Sequence, residues 1–118
     1  MKIIYVAGAL FAENDWAIRC NIHRAAEVGM EVAKLGAYPV IPHTNTGSMF
    51  TGTITLAFWY EGTLELLRRC DAMILVPGYE GSKGVQGEIA ESRRLNMPLF
   101  TGIGLLKTWL AERTKTDG

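Results

Sequence analysis

Four short apolar segments alternate with four stretches of helical pattern along the chain of 118 residues. The apolar segments are KIIYVA (2–7), YPVIP (38–42), DAMILVP (71–77) and MPLFTG (97–102). Short, nearly continuous apolar runs are typical of parallel strands that are covered on both faces. The order β-α-β-α-β-α-β-α therefore predicts an α/β fold, a three-layer Rossmann-like sandwich with a mostly parallel sheet of four to five strands and right-handed crossovers.

The intervening segments carry apolar residues at helical spacings of three and four. They predict helices over residues 12–36, 58–70, 85–95 and 105–115. Asn14 or Asp15 can cap the start of the first helix, and Gly36 its end. Residues 44–57 are small and polar, which predicts a long loop with room for one helical turn. We expect a single domain over residues 1–114 and a frayed terminus over 115–118.

Charge and cysteine usage narrow the classes of partner. The twelve basic and twelve acidic residues cancel, so a nucleic-acid polymer is a poor candidate partner, whereas a single nucleoside or nucleotide is compatible. Cys20 and Cys70 have no metal-ligand spacing, which favours reduced, partly buried thiols in a cytoplasmic protein. No segment reaches membrane-spanning length. The apolar start of the chain fits a buried first strand better than a signal peptide.

Alternation of strands and helices also sorts the polar residues between the two edges of the sheet. In open parallel sheets, ligands bind beyond the carboxyl ends of the strands. Residues that follow a strand or begin the next helix lie at that edge, which we call the carboxyl edge. The sequence places there residues 5–11, His43, the 44–57 loop, Trp59, Tyr60, Glu61, Thr63 and 77–88. Asp71 precedes a strand, so it belongs to the opposite edge, where a structural hydrogen bond is expected.

The segment LVPGYEGSKGVQGEIAESRRL, residues 75–95, combines a glycine-rich loop with the start of a helix. It matches neither GxxxxGK[ST] nor GxGxxG, which argues against a Walker or dinucleotide loop. Ser82 can cap the helix, and Gly84 before it leaves amides free for an anion or a sugar hydroxyl. A plain connection between strand and helix remains the alternative.

Several candidate side chains at the carboxyl edge have two interpretations. Glu88 is either a surface carboxylate of a helix N-terminus or, beside the buried stripe, a group with chemistry. Tyr5 either fills the core or reaches the pocket with its hydroxyl. Trp59, like the neighbouring tyrosine, packs or stacks on a base. His43 is either a loop histidine or a polar contact with substrate.

Three stretches of the sequence resemble a known family. Ser82, Gly84 and Glu88 form an S-x-G-x-x-x-E pattern after a strand that ends in Pro-Gly, YVAG runs from Tyr5 to Gly8, and YPVIPHTNT runs from the second strand into the segment after it. Over residues 2–101 the chain resembles the nucleoside 2-deoxyribosyltransferase-like superfamily, in particular its small proteins of the DUF4406 type. The superfamily also includes 2'-deoxynucleoside 5'-monophosphate N-glycosidases.

This resemblance implies a mechanism and a set of roles. Glu88 would attack the anomeric carbon of a nucleoside or nucleotide, and water or a second base would resolve the ester in a retaining double displacement. Tyr5 would orient Glu88, while Gly8, Ser82 and the amides around Gly84 would hold the substrate. The reaction would be hydrolysis or deoxyribosyl transfer, with no metal or organic cofactor. Family members are often homodimers or higher homo-oligomers whose sites are completed across an interface.

The chain also departs from the family pattern. Catalysing members carry an Asp, which assists protonation of the leaving base, at the position of Thr63; Glu61 or His43 are the candidates to replace it. Ala9 and Phe11 stand where the monophosphate glycosidases have Ser and Arg, which favours a less charged ligand or another grip on phosphate. These departures motivate one alternative, a non-catalytic nucleotide-binding or sensing module. A small interaction protein with an incidental pocket is a further alternative.

Overall fold

Strands and helices alternate as predicted in the computed structural model, which describes residues 1–46 and 53–117. The elements are β1 (Ile3–Ala7), α1 (Asp15–Lys34), β2 (Tyr38–Val40), α2 (Pro42–Thr46), α3 (Leu56–Arg68), β3 (Ala72–Leu75), α4 (Lys83–Arg94), β4 (Leu99–Phe100) and α5 (Ile103–Asp117). The predicted long loop lies partly outside the described residues. Of its described parts, residues 44–46 belong to α2, which supplies the expected helical turn, whereas residues 53–55 precede α3 and residues 56–57 begin it.

The four described strands form one parallel sheet in the order β2-β1-β3-β4. The α/β three-layer prediction is therefore confirmed. The chain moves from β1 to β2 on one side and then crosses back to β3 on the other side. Strand order thus reverses between β1 and β3, which is where parallel sheets of this kind open a crevice for ligands.

The pleat of β1 divides its side chains between the two outer layers. Ile4 and Val6 pack in the core cluster with α1 and α5, whereas Tyr5 and Ala7 pack in the cluster with α3 and α4. This alternation follows from the two-residue period of a strand. It directs the Tyr5 side chain toward α4.

Capping and edge contacts agree with the local sequence. The Asn14 side chain accepts a hydrogen bond from the Ala17 amide at 2.8 Å, so Asn14 is the N-cap of α1. Gly36, with φ of 87°, follows the end of that helix in the left-handed region that favours glycine. At the opposite edge, the Ile3 amide donates to Asp71 Oδ2 at 2.7 Å. The predicted structural role of Asp71 is confirmed.

Two further predictions concern the cysteines and the membrane. Cys20 and Cys70 are both half-buried and free of disulfides. Across residues 1–46 and 53–117, none of the helices is long and apolar enough to cross a membrane.

Candidate active site

A cavity of about 550 Å³ opens at the carboxyl ends of β1 and β3. Its volume is in the range of small-molecule sites. Its wall is built from the end of β1, the start of α2, one face of α3 and the first turns of α4. Eight of the nine predicted site residues line it: Tyr5, Gly8, His43, Trp59, Thr63, Ser82, Gly84 and Glu88.

Glu61 is the predicted site residue that the structure places elsewhere. It is exposed and does not belong to the described wall of the cavity. Tyr60 and Thr63 point into the cavity because residues three apart share a helix face. Glu61 is rotated by about 100° from Tyr60 around the axis of α3. The correct edge of the sheet therefore did not put this carboxylate on the correct face of its helix.

Glu88 is one of the buried residues of α4. It therefore lies closer to the core than predicted, since the sequence placed it beside the buried stripe. The buried residues of this helix are Val85, Glu88, Ile89 and Ser92, which have the spacing of one helix face. The Glu88 side chain is 8% exposed. Burial raises the pKa of Glu88 to about 7, because removal from water disfavours the charged carboxylate. The carboxylate is thus poised between its two protonation states near neutral pH.

Tyr5 provides the hydrogen bond to this carboxylate. Its hydroxyl donates to Glu88 Oε2, and its ring is fully buried. Burial raises the pKa of Tyr5 first, and the charge of Glu88 raises it further, while the nearby Thr63 hydroxyl acts in the opposite direction. Tyr5 therefore stays protonated and remains a donor. Its hydrogen bond lowers the pKa of Glu88, partly offsetting the effect of burial.

Ser82 caps α4 and sits in the cavity wall. Its Oγ accepts a hydrogen bond from the Val85 amide at 3.2 Å, as a helix N-cap does. The helix begins at Lys83, two residues earlier than predicted. Gly84 therefore belongs to the first turn of the helix, and the expectation that it precedes the helix was wrong. The positive end of the helix dipole still faces the side of the cavity formed by these residues.

His43 follows Pro42 in α2 and is 6% exposed. Neither ring nitrogen has a hydrogen-bond partner in the described part of the chain. Burial lowers the pKa of His43, and the nearby backbone of Ala9 and Gly8 acts in the opposite direction. The imidazole is accordingly neutral at pH 7. Both nitrogens are shielded, so a contact with a ligand requires a rotation of the ring.

The remaining predicted residues shape the wall. The Thr63 hydroxyl donates to the Tyr60 carbonyl at 2.7 Å, within its own helix. Trp59 is half-buried and meets Phe58 edge to face, with 5.5 Å between ring centroids. A Cβ at Gly8 would lie 2.8 Å from Val76 Cβ. Gly8 is therefore required by the close approach of β1 to the end of β3.

Sequence reasoning did not assign the apolar part of the wall. Leu10, Leu56 and Val85 line the cavity. In the sequence, these residues are marked only by their position after a strand or at a helix start. Apolar residues that serve the buried core occupy the same positions, so the two roles could not be separated. Within the described ranges, no group of three or more His, Cys, Asp or Glu side chains could hold a metal ion.

The architecture has a counterpart among solved structures. No protein-family model matches the sequence, and no curated protein matches it. The structure is similar to that of a 2-deoxyribosyltransferase from the psychrotolerant bacterium Bacillus psychrosaccharolyticus, with a TM-score of 0.64 and 18% sequence identity. The similarity covers 82% of this chain and 69% of the other. At this identity the two proteins share a fold.

Proposed function

We propose that this protein cleaves or transfers the N-glycosidic bond of a nucleoside or nucleotide, with Glu88 as the nucleophile. The observation that carries the proposal is the Glu88 carboxylate, which is buried in the cavity wall and bonded by the Tyr5 hydroxyl. A carboxylate with a strongly shifted pKa in a cavity is a recurrent feature of catalytic sites. The deoxyribosyltransferase of similar fold and the S-x-G-x-x-x-E pattern support the choice of substrate class.

The proposed reaction is a double displacement. A Glu88 carboxylate oxygen attacks the anomeric carbon, the bond from that carbon to the base nitrogen breaks, and its electron pair leaves with the base. Water, or the N–H nitrogen of a second base, then attacks the same carbon from the other side, passes a proton to the departed base and releases the carboxylate. Two inversions give retention of configuration. By donating a hydrogen bond, Tyr5 holds the carboxylate in place for the first step and stabilises the negative charge that returns to it in the second step.

Departure of the base is assisted by a proton donor, and the described wall of the cavity contains few side chains that could act as one. Glu88 is the sole carboxylate in the described wall of the cavity. His43 also lines it, and as a neutral imidazole it has one N–H to donate. We assign His43 to binding the leaving base after rotation of its ring. A ligand that meets the unpartnered nitrogens also removes the cost of burying them without hydrogen bonds.

The substitution Glu88→Gln tests the nucleophile. Wild type and variant are incubated with a panel of nucleosides and their monophosphates, and free base is measured by chromatography. A second free base added to the same reactions separates transfer from hydrolysis. We expect base release by the wild type and its loss in Glu88→Gln. The matched control is Glu61→Gln, which removes a carboxylate at the same edge but outside the cavity and should leave the rate unchanged.

Trapping the intermediate gives the decisive outcome. A 2-fluoro sugar analogue slows the second displacement, so a glycosyl ester should accumulate on Glu88 and be found by mass spectrometry of the peptide. Base release that survives Glu88→Gln, or an ester on another residue, contradicts the proposal.

The second candidate is a binding or sensing module that holds a nucleotide without turnover. The single described carboxylate of the cavity favours it, because retaining glycosidases commonly use two carboxyl groups about 5 Å apart. It predicts a ligand-dependent rise in melting temperature in the wild type and in Glu88→Gln, with no base released by either protein.

We also propose that the protein associates with a second copy of itself at the cavity mouth. Two large apolar side chains of the cavity wall, Phe11 and Leu56, are exposed there. Clusters of exposed apolar residues mark interaction surfaces.

A further inference from the structure

Tyr60, half-buried on α3, reaches across to α4. Its hydroxyl donates to the Gly84 carbonyl at 3.1 Å. The same hydroxyl oxygen lies 2.0 Å from the position that a Cβ on Gly87 would occupy. No real Cβ could be accommodated at that distance. Because Gly87 has no side chain, it leaves a gap on the surface of α4, and the Tyr60 hydroxyl occupies this gap.

The residues that the Tyr60 hydroxyl contacts are linked to Glu88 both by sequence and by a helix hydrogen bond. Gly87 is the residue directly before it, and in an α-helix the Gly84 carbonyl is the acceptor for the Glu88 amide, four residues on. The Tyr60 hydroxyl thus bonds the carbonyl that holds the backbone of Glu88. It also closes over Gly87, so it contacts α4 at two residues of the helical turn that leads to Glu88.

Such a contact is needed because the start of α4 is intrinsically loose. Two of the first five helical residues are glycines, Gly84 and Gly87, and each costs a helix interior roughly 1 kcal/mol relative to alanine. Neither has a positive φ, so neither glycine is there for backbone conformation. The absence of a side chain at Gly87 is explained by the Tyr60 hydroxyl, which occupies that space.

We propose that Tyr60 is a positioning residue for Glu88: its hydroxyl, seated over Gly87 and bonded to Gly84, fixes the first turns of α4 so that the carboxylate meets Tyr5. The role rests on the proposed function only where it refers to catalysis. Tyr60 remains a donor, since burial first and the charges of Glu88, Glu61 and Glu91 next raise its pKa.

The test compares Tyr60→Phe with the wild type and with Tyr5→Phe. The pKa of the Glu88 carboxyl is measured by carbon-detected NMR titration, a readout that does not require activity. Because the Tyr5 hydroxyl lowers the pKa of Glu88, loosening that contact raises it. We expect Tyr60→Phe to raise the Glu88 pKa, and to have little further effect in the Tyr5→Phe background. An unchanged or lowered Glu88 pKa in Tyr60→Phe overturns the proposal.

Gly87→Ala provides a second variant, because its Cβ would displace the Tyr60 hydroxyl; it should raise the Glu88 pKa in the same direction. Two matched controls should leave it unchanged. Tyr79→Phe alters a half-buried tyrosine that packs against the core cluster of Tyr5 and lies outside the described cavity wall. Gly62→Ala adds a Cβ to a helical glycine with nothing within 4 Å. Equal shifts in the controls and the variants contradict the role.

Kinetics then extend the test to the proposed reaction. We expect Tyr60→Phe to lower kcat for base release about fivefold, the factor for one ordinary hydrogen bond, with little change in KM. A loss confined to KM contradicts positioning and indicates substrate contact. If the wild type releases no base, the proposed function fails, whereas the titration still decides the role of Tyr60.

Discussion

At the residue scale, the burial of Glu88 has a thermodynamic cost that can be measured without a substrate. The rise of its pKa from 4.5 to about 7 corresponds to roughly 3 kcal/mol. Between these pH values the folded protein binds more protons than the unfolded chain, so its stability falls as pH rises. We expect Glu88→Gln to match the wild type near pH 4 and to exceed it by roughly 3 kcal/mol above pH 8, in urea unfolding experiments.

A neighbouring carboxylate should behave in the opposite way. Arg94 first and Arg68 next lower the pKa of Glu91 through hydrogen bonds. A lowered pKa stabilises the folded protein at neutral pH, and this contribution is lost as pH falls. Glu91→Gln should therefore be less stable than the wild type at pH 7, with the difference disappearing in acid. If both substitutions changed the free energy of unfolding at pH 7 in the same direction, burial would not be the factor that controls the pKa of Glu88.

The same pKa predicts the pH dependence of the proposed reaction. The nucleophile must be ionised, and with a pKa of about 7 the ionised fraction falls roughly tenfold per pH unit below that value. We expect kcat/KM for base release to be roughly 100-fold lower at pH 5 than on its plateau above pH 8. A rate that is constant from pH 5 to pH 8 would exclude Glu88 as the titrating nucleophile.

At the element scale, α4 depends on its cap. Ser82 accepts the Val85 amide and begins the helix that carries Glu88. We expect Ser82→Ala to lower the free energy of unfolding by about 1 kcal/mol, and Ser82→Asn, which retains a capping oxygen, to preserve it. Equal stability of the two variants in urea unfolding would show that the cap contributes nothing measurable.

The elements also show what the sequence could predict. Apolar spacing located the helices but placed the start of α4 at Val85, because periodicity reports the buried turns and not the first turn. The capping oxygen of Ser82 sets the true start. Similarly, Thr55 caps α3 through the Phe58 amide at 3.2 Å, and the helix begins at Leu56. Glu61 was expected at the cavity for a different reason: the assignment to the carboxyl edge does not take account of which face of the helix a residue occupies.

At the scale of the whole molecule, the parallel sheet with helices on both faces could be predicted because alternation alone requires it. Strand order could not, since all four strands are short and apolar and differ little in pattern. The carboxyl edge was nevertheless correct, because it depends on strand direction and not on strand order. The contact between Tyr5 and Glu88 was available only through resemblance, since a uniformly apolar strand does not show which face each residue uses.

The last prediction concerns assembly. Leu56 is 59% exposed in the cavity wall, and Leu105 is 60% exposed on α5, across the sheet. If a second copy covers the mouth, a charge at its apolar rim opposes association, because burying an unpaired carboxylate is costly. In sedimentation velocity at micromolar concentrations, we expect wild type and Leu105→Glu to form oligomers and Leu56→Glu to be monomeric. A monomeric wild type would show that the apolar mouth does not bind a second copy, and oligomers of Leu56→Glu would place the interface elsewhere.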